Sequence, residues 1–464
     1  MRTHLAVVLL AVMPLGRVAA VSLPKPLPPA CDDSARQWLE PLLAEVQLES
    51  LPISAARSFR RQCVNMEICK LPAELAAAAF DDRARDFLRS KGIPATRFGD
   101  SLFVDASGLA KDPRNFVGAL CSVKSLVTGL EWSAGISFAG ASKASCSAHV
   151  NEKWLKAIDA PPASAVKPSK LTVAIIDGEV LDDHEDLPPI DRFVVADPSA
   201  TNGDCKKGVC CASSGNESGH PRKPHGAWTI GTIAAIPDNG IGIDGLSKPA
   251  KVIAIETGGF GCSRAWKLAN AVTCAVEQKA DVILYAVGPM GGRDMYRIFK
   301  PMEDTVANSK SLLIFAAGNR GLNLDRCRVW PNVFGRNALT VTQFAEDGRP
   351  GPAVGFGDET VDLGLPLGNV CTTQNDGPKS YGTYDRTSAA SAIVAGAVLQ
   401  MSGHENFKNC TAPELGELLM RFAVPPIHSD DRKRVSPKGG QLNLGFLREV
   451  VRDAQGNVVD YCAK

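Results

Sequence analysis

The chain has 464 residues, of which 45% are hydrophobic and 22% charged, and its formal net charge at pH 7 is +1. A chain of this length is too long for one ordinary hydrophobic core and predicts two or three folded units. The near-zero net charge does not favour nucleic acid or an anionic membrane surface as a partner. After residue 20, no stretch free of charges is long enough to cross a bilayer.

Residues 1–20 have the features of a secretory signal peptide. Arg2 and His4 precede an apolar run from Leu5 to Leu15, and Val18-Ala19-Ala20 offers small residues for cleavage. A membrane anchor is the alternative, but a run of eleven residues is too short to span a bilayer. The sequence therefore predicts a secreted protein that is soluble after processing.

The fourteen cysteines agree with export, because an even number in an oxidising compartment favours disulfides. Five of them precede residue 164 and nine follow it, so either one disulfide joins the two parts or each part keeps a free thiol: Cys31, Cys63, Cys69, Cys121 and Cys146 are the first five. Zinc is an alternative for Cys205, Cys210, Cys211 and His220, but their irregular spacing favours disulfides. Asn216 and Asn409 begin glycosylation sequons.

The first part of the mature chain reads as mostly helical. A Pro-rich stretch, residues 21–29, precedes a helical pattern from Ser34 to about Lys91 that includes Ala73–Phe80. Phe98–Leu102 matches the signature of an esterase family only superficially, and a turn before strand Leu102–Val104 is the interpretation we favour. Around Ala160–Ser169 the composition is typical of a linker.

From Leu171 onward, apolar β-branched runs alternate with helical patterns. Such alternation predicts an α/β fold with a doubly wound, mostly parallel sheet covered by helices on both faces. The predicted strands are Leu171–Ile176, Ala250–Glu256, Val282–Ala286, Leu312–Ala316, Leu339–Gln343 and Thr360–Leu363. The predicted helices are His225–Ile236, Lys267–Gln278, Met302–Asn308, a segment from Ser388 to Met401, and Pro413–Ala423.

Ser388 precedes a run of small residues that suits a closely packed helix. A serine at a helix N-terminus is usually an N-cap, but the free N–H groups and the helix dipole there also suit a nucleophile. Three other segments have features that would complete such a site. They are Val173–Asp177 followed by His184–Leu187, His225–Ala235, and Leu312–Asn319.

In this order, the four segments resemble the signature blocks of the subtilisin-like serine proteases (subtilases). The resemblance extends from about Pro168 to Val450, and the chain order Asp, His, Ser is that of subtilisin. Subtilisin is a standard example of catalysis by such a triad. The roles given to the residues below are therefore taken from the resemblance. It implies a catalytic triad of Asp177, His225 and Ser388.

The triad divides the chemistry among three side chains. A neutral hydroxyl attacks an amide poorly, so Ser388 needs a base, and an imidazole with its ordinary pKa of about 6.5 suits His225 for that role. Asp177 would orient the imidazole, and Asn319 would donate to the oxyanion together with the Ser388 backbone N–H. Ala286, Val287 and Gly288 correspond to the strand that pairs with an extended substrate. The other histidines are expected to be structural or solvated.

The chain departs from the family pattern at several positions. Gly178 and Glu179 follow the aspartate where the family has Ser or Thr and then Gly, and Trp228 replaces a second histidine. In the nucleophile block, Arg386 replaces Gly, Ala389 replaces Met, and Ala392-Ile393 replaces Pro-His. Arg386 would be strained if its φ were positive, and Glu179 would add a carboxylate near the imidazole.

The resemblance also implies a domain organisation. We expect a signal peptide (1–20), an N-terminal pro region (21–163), a catalytic domain (164–450) and a C-terminal tail (451–464). The pro region would be largely helical and would inhibit the enzyme until it is cut off near residues 160–169. The chemistry requires no cofactor or metal, and the sequence does not reveal whether the protein binds structural calcium. We expect polypeptide substrates and a monomer.

Two classes of function are consistent with these observations. The first is a secreted serine endopeptidase that forms an acyl-enzyme intermediate. The second is a catalytically silent, secreted binding protein built on the protease fold. An esterase or lipase is a third and weaker alternative, because no Gly-x-Ser-x-Gly elbow is present.

Overall fold

In the computed structural model, two sheets organise the chain, one in each part. The structure describes residues 74–77, 79–80, 82–93, 95–98, 101–105, 112–128, 131–133, 146, 148–178, 180, 183–195, 210–212, 225–257, 265–286, 296–319, 321–327, 335, 337–348, 354–426, 435 and 439–463. The signal peptide, the Pro-rich stretch and Asn216 lie outside the described residues.

The first part forms a four-stranded antiparallel sheet with the strand order β3-β4-β1-β6. Its elements in chain order are β1 (Glu74–Ala77), β2 (Ala79–Phe80), α1 (Asp82–Ser90), β3 (Ala95–Phe98), β4 (Ser101–Asp105), α2 (Pro113–Val123), β5 (Val127–Thr128) and β6 (Glu131–Ser133). Leaving out the short β2–β5 pair, the order of strands and helices is βαββαβ, a recurring α+β arrangement.

The prediction of a helix over Ala73–Phe80 is wrong, because residues 74–77 and 79–80 form strands β1 and β2. Alanine, leucine and glutamate favour a helix locally, but β1 pairs with β4 on one side and β6 on the other. Pairing on both edges outweighs the weak local preference. The described part of the predicted pro region therefore mixes helix and strand.

The second part contains a nine-stranded sheet, and the prediction of a doubly wound, mostly parallel fold is confirmed. The strand order is β17-β14-β13-β12-β11-β7-β10-β8-β9, and only the β8–β9 pair is antiparallel. These strands are β7 (Thr172–Asp177), β8 (Ile190–Val195), β9 (Cys210–Ala212), β10 (Lys251–Glu256), β11 (Val282–Tyr285), β12 (Leu312–Ala316), β13 (Ala338–Phe344), β14 (Leu363–Pro366) and β17 (Gly440–Gln441).

Helices cover both faces of this sheet. They are α3 (Ala148–Ala157), α4 (His225–Ala234), α5 (Ala265–Glu277), α6 (Tyr296–Ala307), α7 (Leu324–Cys327), α8 (Arg386–Ser402) and α9 (Ala412–Phe422). Val173 and Ile175 of β7 pack in one core with α3, α4, α8 and α9, whereas Ala174 and Ile176 pack in the other with α5 and α6. Alternate residues of one strand thus serve the two cores.

Two predicted elements in the second part begin three residues or more away from where they begin in the structure. The strand predicted at Thr360–Leu363 begins only at Leu363, because Asp325 Oδ1 holds the Thr360 backbone N–H and hydroxyl in a turn. The helix predicted at Met302 begins six residues earlier, at Tyr296. A hairpin of β15 (Val370–Thr373) and β16 (Tyr381–Tyr384), which the sequence did not predict, leads into α8.

Helix α3 precedes the linker-like stretch yet packs within the core of the second part. Trp154 and Ile158 are 4% and 0% exposed and belong to the cluster that contains α8. The Leu444 backbone N–H donates to Ile158 O at 2.7 Å, and Arg448 forms an ion pair with Asp159 at 2.6 Å. These contacts join residues on both sides of the predicted boundary at residue 163.

Disulfides join distant parts of the chain. Cys146 pairs with Cys371, Cys210 with Cys274 and Cys410 with Cys462, and Cys121 is also disulfide-bonded. The Cys146–Cys371 bond joins the two parts of the chain, which was one of the two alternatives that the odd cysteine numbers left. The zinc alternative is wrong for Cys210, because its sulfur is in a disulfide.

Residues 451–463 are held against the second part of the chain by ring contacts, hydrogen bonds and a disulfide. Tyr461 stacks on Phe407 with ring centroids 5.1 Å apart and also contacts Phe422, while Cys462 is bonded to Cys410. The Asn406 side chain donates to backbone oxygens of Val451 and Val459. Among the described residues, no helix combines the length and apolar character that a membrane crossing needs.

Candidate active site

The predicted site residues meet at one edge of the nine-stranded sheet. Asp177 is the last residue of β7, Ala286 follows β11, and Asn319 follows β12 by three residues. Because these strands are parallel neighbours, their carboxyl ends lie side by side, where open α/β sheets place their sites. His225 and Ser388 join them from the first turns of α4 and α8.

Asp177 and His225 form a buried, hydrogen-bonded pair. The ring nitrogen His225 Nδ1 lies 2.7 Å from Asp177 Oδ1 and 2.8 Å from Oδ2. The Gly178 backbone N–H donates to Oδ1 at 2.6 Å. The carboxylate therefore fixes the Nδ1–H tautomer of the imidazole and leaves Nε2 free of a proton in the neutral ring.

Ser388 is the third residue of α8, so the reading of Ser388 as an N-cap is wrong. Asp385 is the N-cap residue, with φ −143°. The Ser388 hydroxyl donates to Ala286 O at 2.7 Å, and its own carbonyl accepts from the Ser391 hydroxyl. The position within the first turn places the Ser388 backbone N–H among the free donors of the helix N-terminus.

Two buried hydroxyl groups that the sequence analysis missed lie against the Asp177–His225 pair. Thr229 Oγ1 donates to Asp177 Oδ2 at 2.9 Å and lies 3.0 Å from the Tyr384 hydroxyl. The Tyr384 hydroxyl is also hydrogen-bonded to the Ser388 side chain. Burial, and then the charge of Asp177, raise the pKa of Tyr384 well above its ordinary value, so the phenol stays protonated. Thr229 lies one helical turn after His225, and this spacing is the feature of the sequence that could have identified it.

The Asn319 side chain is oriented by Thr387, the residue that precedes Ser388 in the sequence. Its side-chain oxygen Oδ1 accepts from the Thr387 hydroxyl at 2.9 Å and from the Thr387 backbone N–H at 3.3 Å. The Thr387 hydroxyl also accepts from Gly318 N at 3.2 Å. Because the oxygen is engaged, the amide NH₂ is the end of Asn319 that can serve another acceptor.

Arg386 has the left-handed backbone conformation that a glycine would adopt without strain. Its φ is +63°, and its side chain is about half exposed, 3.8 Å from the Asp385 carboxylate. The strain that the sequence indicated for a positive φ is therefore present two residues before Ser388.

The other residues that depart from the family pattern differ in their burial and contacts. Trp228 is 6% exposed, contacts the Tyr384 ring at 5.8 Å between centroids, and has an indole N–H with no partner among the described residues. Gly178 binds the aspartate, as described above. Glu179, Val287 and Gly288 lie outside the described residues, so Ala286 is the one predicted substrate-binding residue that can be located.

The hairpin β15–β16 holds the histidine helix. The hydroxyls of Thr372 and Thr373 donate to the carbonyl oxygens of Trp228 and Ala227, both at 2.8 Å. Cys371 of the same strand carries the disulfide to Cys146. The segment that leads to Ser388 and the helix that begins at His225 are thus bonded to each other.

No group of three His, Cys, Asp or Glu residues in the described part of the chain is arranged to hold a metal ion. The buried Asp186 accepts from Asn239 Nδ2 and from the Ile243 backbone N–H, both at 2.9 Å. His184 binds Ser380 O and the Asp186 backbone N–H, and it is not part of the Asp177–His225 pair.

Comparison with known proteins agrees with this architecture. The extracellular basic protease of Dichelobacter nodosus is 30% identical over 42% of this chain and 34% of its own length. The major intracellular serine protease of Bacillus subtilis is 28% identical over 55% of this chain and 77% of its own length. Fervidolysin from Fervidobacterium pennivorans, described as a keratinolytic enzyme related to subtilisin, superposes with a TM-score of 0.59 at 17% identity, covering 84% of this chain and 65% of that structure.

The chain thus spans about a third of the length of the first of these relatives and just under two thirds of the solved structure. At 17% identity, the superposition supports the fold alone. The sequence profile of the Subtilase family matches residues 169–447, more than half of the chain, and this stretch includes Asp177, His225, Asn319 and Ser388. The chain therefore belongs to the Subtilase family.

Proposed function

We propose that this protein is a serine endopeptidase that uses Asp177, His225 and Ser388 as its catalytic triad. The observation that carries the proposal is the hydrogen bond of 2.7 Å between His225 Nδ1 and Asp177. This pair lies at the sheet edge where helix α8, which carries Ser388 in its first turn, begins. A carboxylate that holds the Nδ1 proton makes Nε2 the basic nitrogen, which is what a serine nucleophile requires.

In the proposed reaction, Ser388 Oγ attacks the peptide carbonyl carbon while its proton passes to His225 Nε2. The carbonyl π electrons move to the oxygen, and the oxyanion binds Asn319 Nδ2 and the Ser388 backbone N–H. The C–N bond then breaks, the amine leaves with the proton from Nε2, and an acyl-enzyme remains. Water repeats the sequence through the same base and releases the acid. These steps need no cofactor.

The bond from Ser388 to Ala286 O bears on the first step. A hydroxyl has one hydrogen, so while it is donated to Ala286 O it is not available to His225. Attack therefore requires the hydroxyl hydrogen to turn from Ala286 O toward His225 Nε2. A peptide chain that pairs with the segment Ala286–Gly288 would bind the backbone beside this acceptor and turn the hydroxyl toward the base.

We further propose that the protein is secreted as a precursor and acts as a monomer on polypeptides. The disulfides support an oxidising compartment. The names of the relatives include both an extracellular and an intracellular protease. Asn409 is exposed and offers a sequon for glycosylation in a eukaryotic host.

The N-terminal sheet is the proposed inhibitor of the enzyme. Its strand β3 lies against helix α5 of the second part. The packing of α3 supports a boundary before Cys146 and not at residue 163, because Trp154 and Ile158 are core residues of the second part. After a cut on the N-terminal side of Cys146, α3 would stay with the catalytic domain, held by the bond to Cys371.

A serine-directed fluorophosphonate tests the proposed activity directly. We expect the processed protein to be labelled at Ser388 and to cleave a denatured protein substrate, and Ser388→Ala to do neither. Ser391→Ala is the matched control, because Ser391 lies on the same helix and bonds only the Ser388 carbonyl in the described contacts. If processed wild-type protein is neither labelled nor active, the endopeptidase proposal fails.

One observation favours the catalytically silent binding protein. Arg386 holds a strained conformation at the position where the family has glycine, in the block that carries the nucleophile. A silent protein would bind a peptide at the same edge without labelling. Tight binding of an uncleaved peptide by unlabelled protein supports this second function.

A further inference from the structure

Thr229 and Tyr384 lie at the centre of a buried hydroxyl network that touches all three triad members. Thr229 is 0% exposed and Tyr384 2% exposed. Thr229 contacts Asp177 and Tyr384, and Tyr384 contacts the Ser388 side chain. The Tyr384 ring also meets the His225 ring edge-on, with centroids 5.3 Å apart and planes at 88°.

Each hydroxyl in this network has one hydrogen to donate, and this limit determines which group donates each hydrogen bond. Thr229 has one hydroxyl hydrogen and two acceptors at 2.9 Å, Asp177 Oδ2 and the His225 carbonyl oxygen. A charged acceptor forms the stronger bond, so the hydrogen goes to Asp177. Thr229 Oγ1 can then accept the single hydroxyl hydrogen of Tyr384, which is 3.0 Å away. While Tyr384 donates to Thr229, it can only accept from the Ser388 hydroxyl. The Ser388 hydrogen has then turned away from Ala286 O.

We infer that Thr229 and Tyr384 are positioning residues that fix the Asp177 carboxylate through the relay Tyr384 O–H to Thr229 O–H to Asp177 Oδ2. The inference rests on the proposed function and deepens it. Without Thr229, Oδ2 would share only the His225 Nδ1 proton, and the carboxylate could turn about its Cβ–Cγ bond. With Thr229, each oxygen has a fixed donor, since Gly178 N–H serves Oδ1.

The alternative is that Thr229 only fills space and satisfies the helix carbonyl. Two substitutions separate these roles, because Thr229→Val keeps the volume and removes the hydroxyl, whereas Thr229→Ser keeps the hydroxyl and removes a methyl group. We expect Thr229→Val to lower kcat about 10- to 100-fold with KM little changed, as for loss of a bond to a charged group. Thr229→Ser should stay within about threefold of wild type. The reverse order would overturn the inference.

The pH dependence provides a readout that packing alone would not move. A carboxylate that has lost one donor holds the imidazolium more strongly, so the acid limb of the kcat/KM profile should move to higher pH in Thr229→Val and stay in place in Thr229→Ser. The other titratable groups near Asp177 are Tyr285, Tyr384 and Glu256, which is paired with Arg192. An unmoved limb in Thr229→Val assigns its effect to packing and overturns the inference.

Tyr384→Phe tests the outer step of the relay, because it removes the hydroxyl and keeps the ring on His225. We expect kcat to fall about 3- to 10-fold, as for loss of one neutral hydrogen bond. If Tyr384 acts through Thr229, the double variant should be no slower than Thr229→Val alone. Additive losses would overturn the relay and leave Tyr384 acting on Ser388.

The proton on His225 Nδ1 offers a readout that requires no turnover. Its proton NMR resonance reports the bond to Asp177 and should shift in Thr229→Val but not in Thr229→Ser. This measurement separates two failures. An inactive wild type whose resonance responds in this way contradicts the proposed function and supports the relay. An active wild type whose resonance is the same in both variants contradicts the relay alone.

Discussion

The side chain of Asn151 is bonded twice to the backbone of Cys371. Asn151 Nδ2 donates to Cys371 O at 3.0 Å, and the Cys371 N–H donates to Asn151 Oδ1 at 2.8 Å. The disulfide from Cys146 reaches the same residue, and Cys371 pairs across the hairpin with Thr383, just before Tyr384. Helix α3 is therefore bonded to the segment that carries the nucleophile.

We predict that activation leaves α3 with the catalytic domain. The wild type should yield a fragment that begins before Cys146, and Ser388→Ala should remain uncut, which mass spectrometry can show. If cutting occurs instead at residues 160–169, the two pieces will stay together until the Cys146–Cys371 disulfide is reduced. Trimming of Ser388→Ala at the same bond would identify an external protease.

Trp154→Ala provides an independent test on the processed enzyme. Loss of a buried tryptophan from a core costs about 3–5 kcal/mol in the free energy of unfolding. We expect a loss of this size in chemical denaturation, with the neighbouring exposed Glu152→Ala as the control. If α3 is released during activation, the processed Trp154→Ala enzyme will be as stable as the wild type.

Asn319→Ala should lower kcat by about 10²–10³ with little change in KM, because the bond to the oxyanion strengthens as charge develops. Steady-state kinetics on a peptide substrate measure both constants. Thr387→Val is the partner variant, since it removes the hydroxyl that holds Asn319 Oδ1 and should cause a smaller loss of kcat. A change in KM alone would make Asn319 a binding residue.

Activity should rise with pH as the imidazole of His225 loses its proton, because only the neutral ring accepts the serine proton. A profile measured with a neutral substrate checks this expectation. Activity that is flat from about pH 5 to 8 would contradict the assignment of His225 as the base.

Arg386→Gly should stabilise the protein by about 1 kcal/mol, because glycine adopts a φ of +63° without the steric cost that Arg386 carries. Thermal unfolding of the two proteins measures the difference. Arg386→Ala is the control: it loses the contact with Asp385 but keeps a side chain in the left-handed region. An equal gain in stability in both variants would show that the gain comes from removal of the charge and not from relief of backbone strain.

Asp362 gives a pH dependence of stability with a defined sign. Burial raises its pKa to about 7, against one bond from the Thr340 N–H. The folded state then binds a proton that the unfolded state releases, so between about pH 4 and 7 this group lowers stability as pH rises, by at most about 1.4 kcal/mol per unit.

Asp362→Asn should remove that contribution, because the amide resembles the protonated acid and still accepts from Thr340. We expect denaturation measured at several pH values to give a flatter profile than wild type. Asp281→Asn is the control, since Asp281 likewise accepts a backbone N–H, from Thr172 at 2.8 Å. The same flattening in both variants would contradict a special role for Asp362.

The sequence determined the parallel sheet and the residues that meet at its edge. The runs that became β7, β11 and β12 are apolar, and those of β7 and β11 are also rich in β-branched residues, because parallel strands are buried on both faces. Asp177 and Asn319 follow such strands, and strand direction alone brings their ends together. His225 and Ser388 open helices, and the order of the four segments carries the family resemblance. These are local patterns, which a sequence displays.

Tertiary structure decided the features that depend on distant partners. Residues 74–77 form a strand because β4 and β6 flank them, although alanine and leucine favour a helix. Helix α3 belongs to the second core because Asn151, Trp154 and Cys146 find partners there, on the other side of a linker-like sequence. Thr229 and Tyr384 are more than 150 residues apart, and only packing of α4 against β16 brings their hydroxyls together. A pattern within one segment cannot encode a contact whose other half lies elsewhere in the chain.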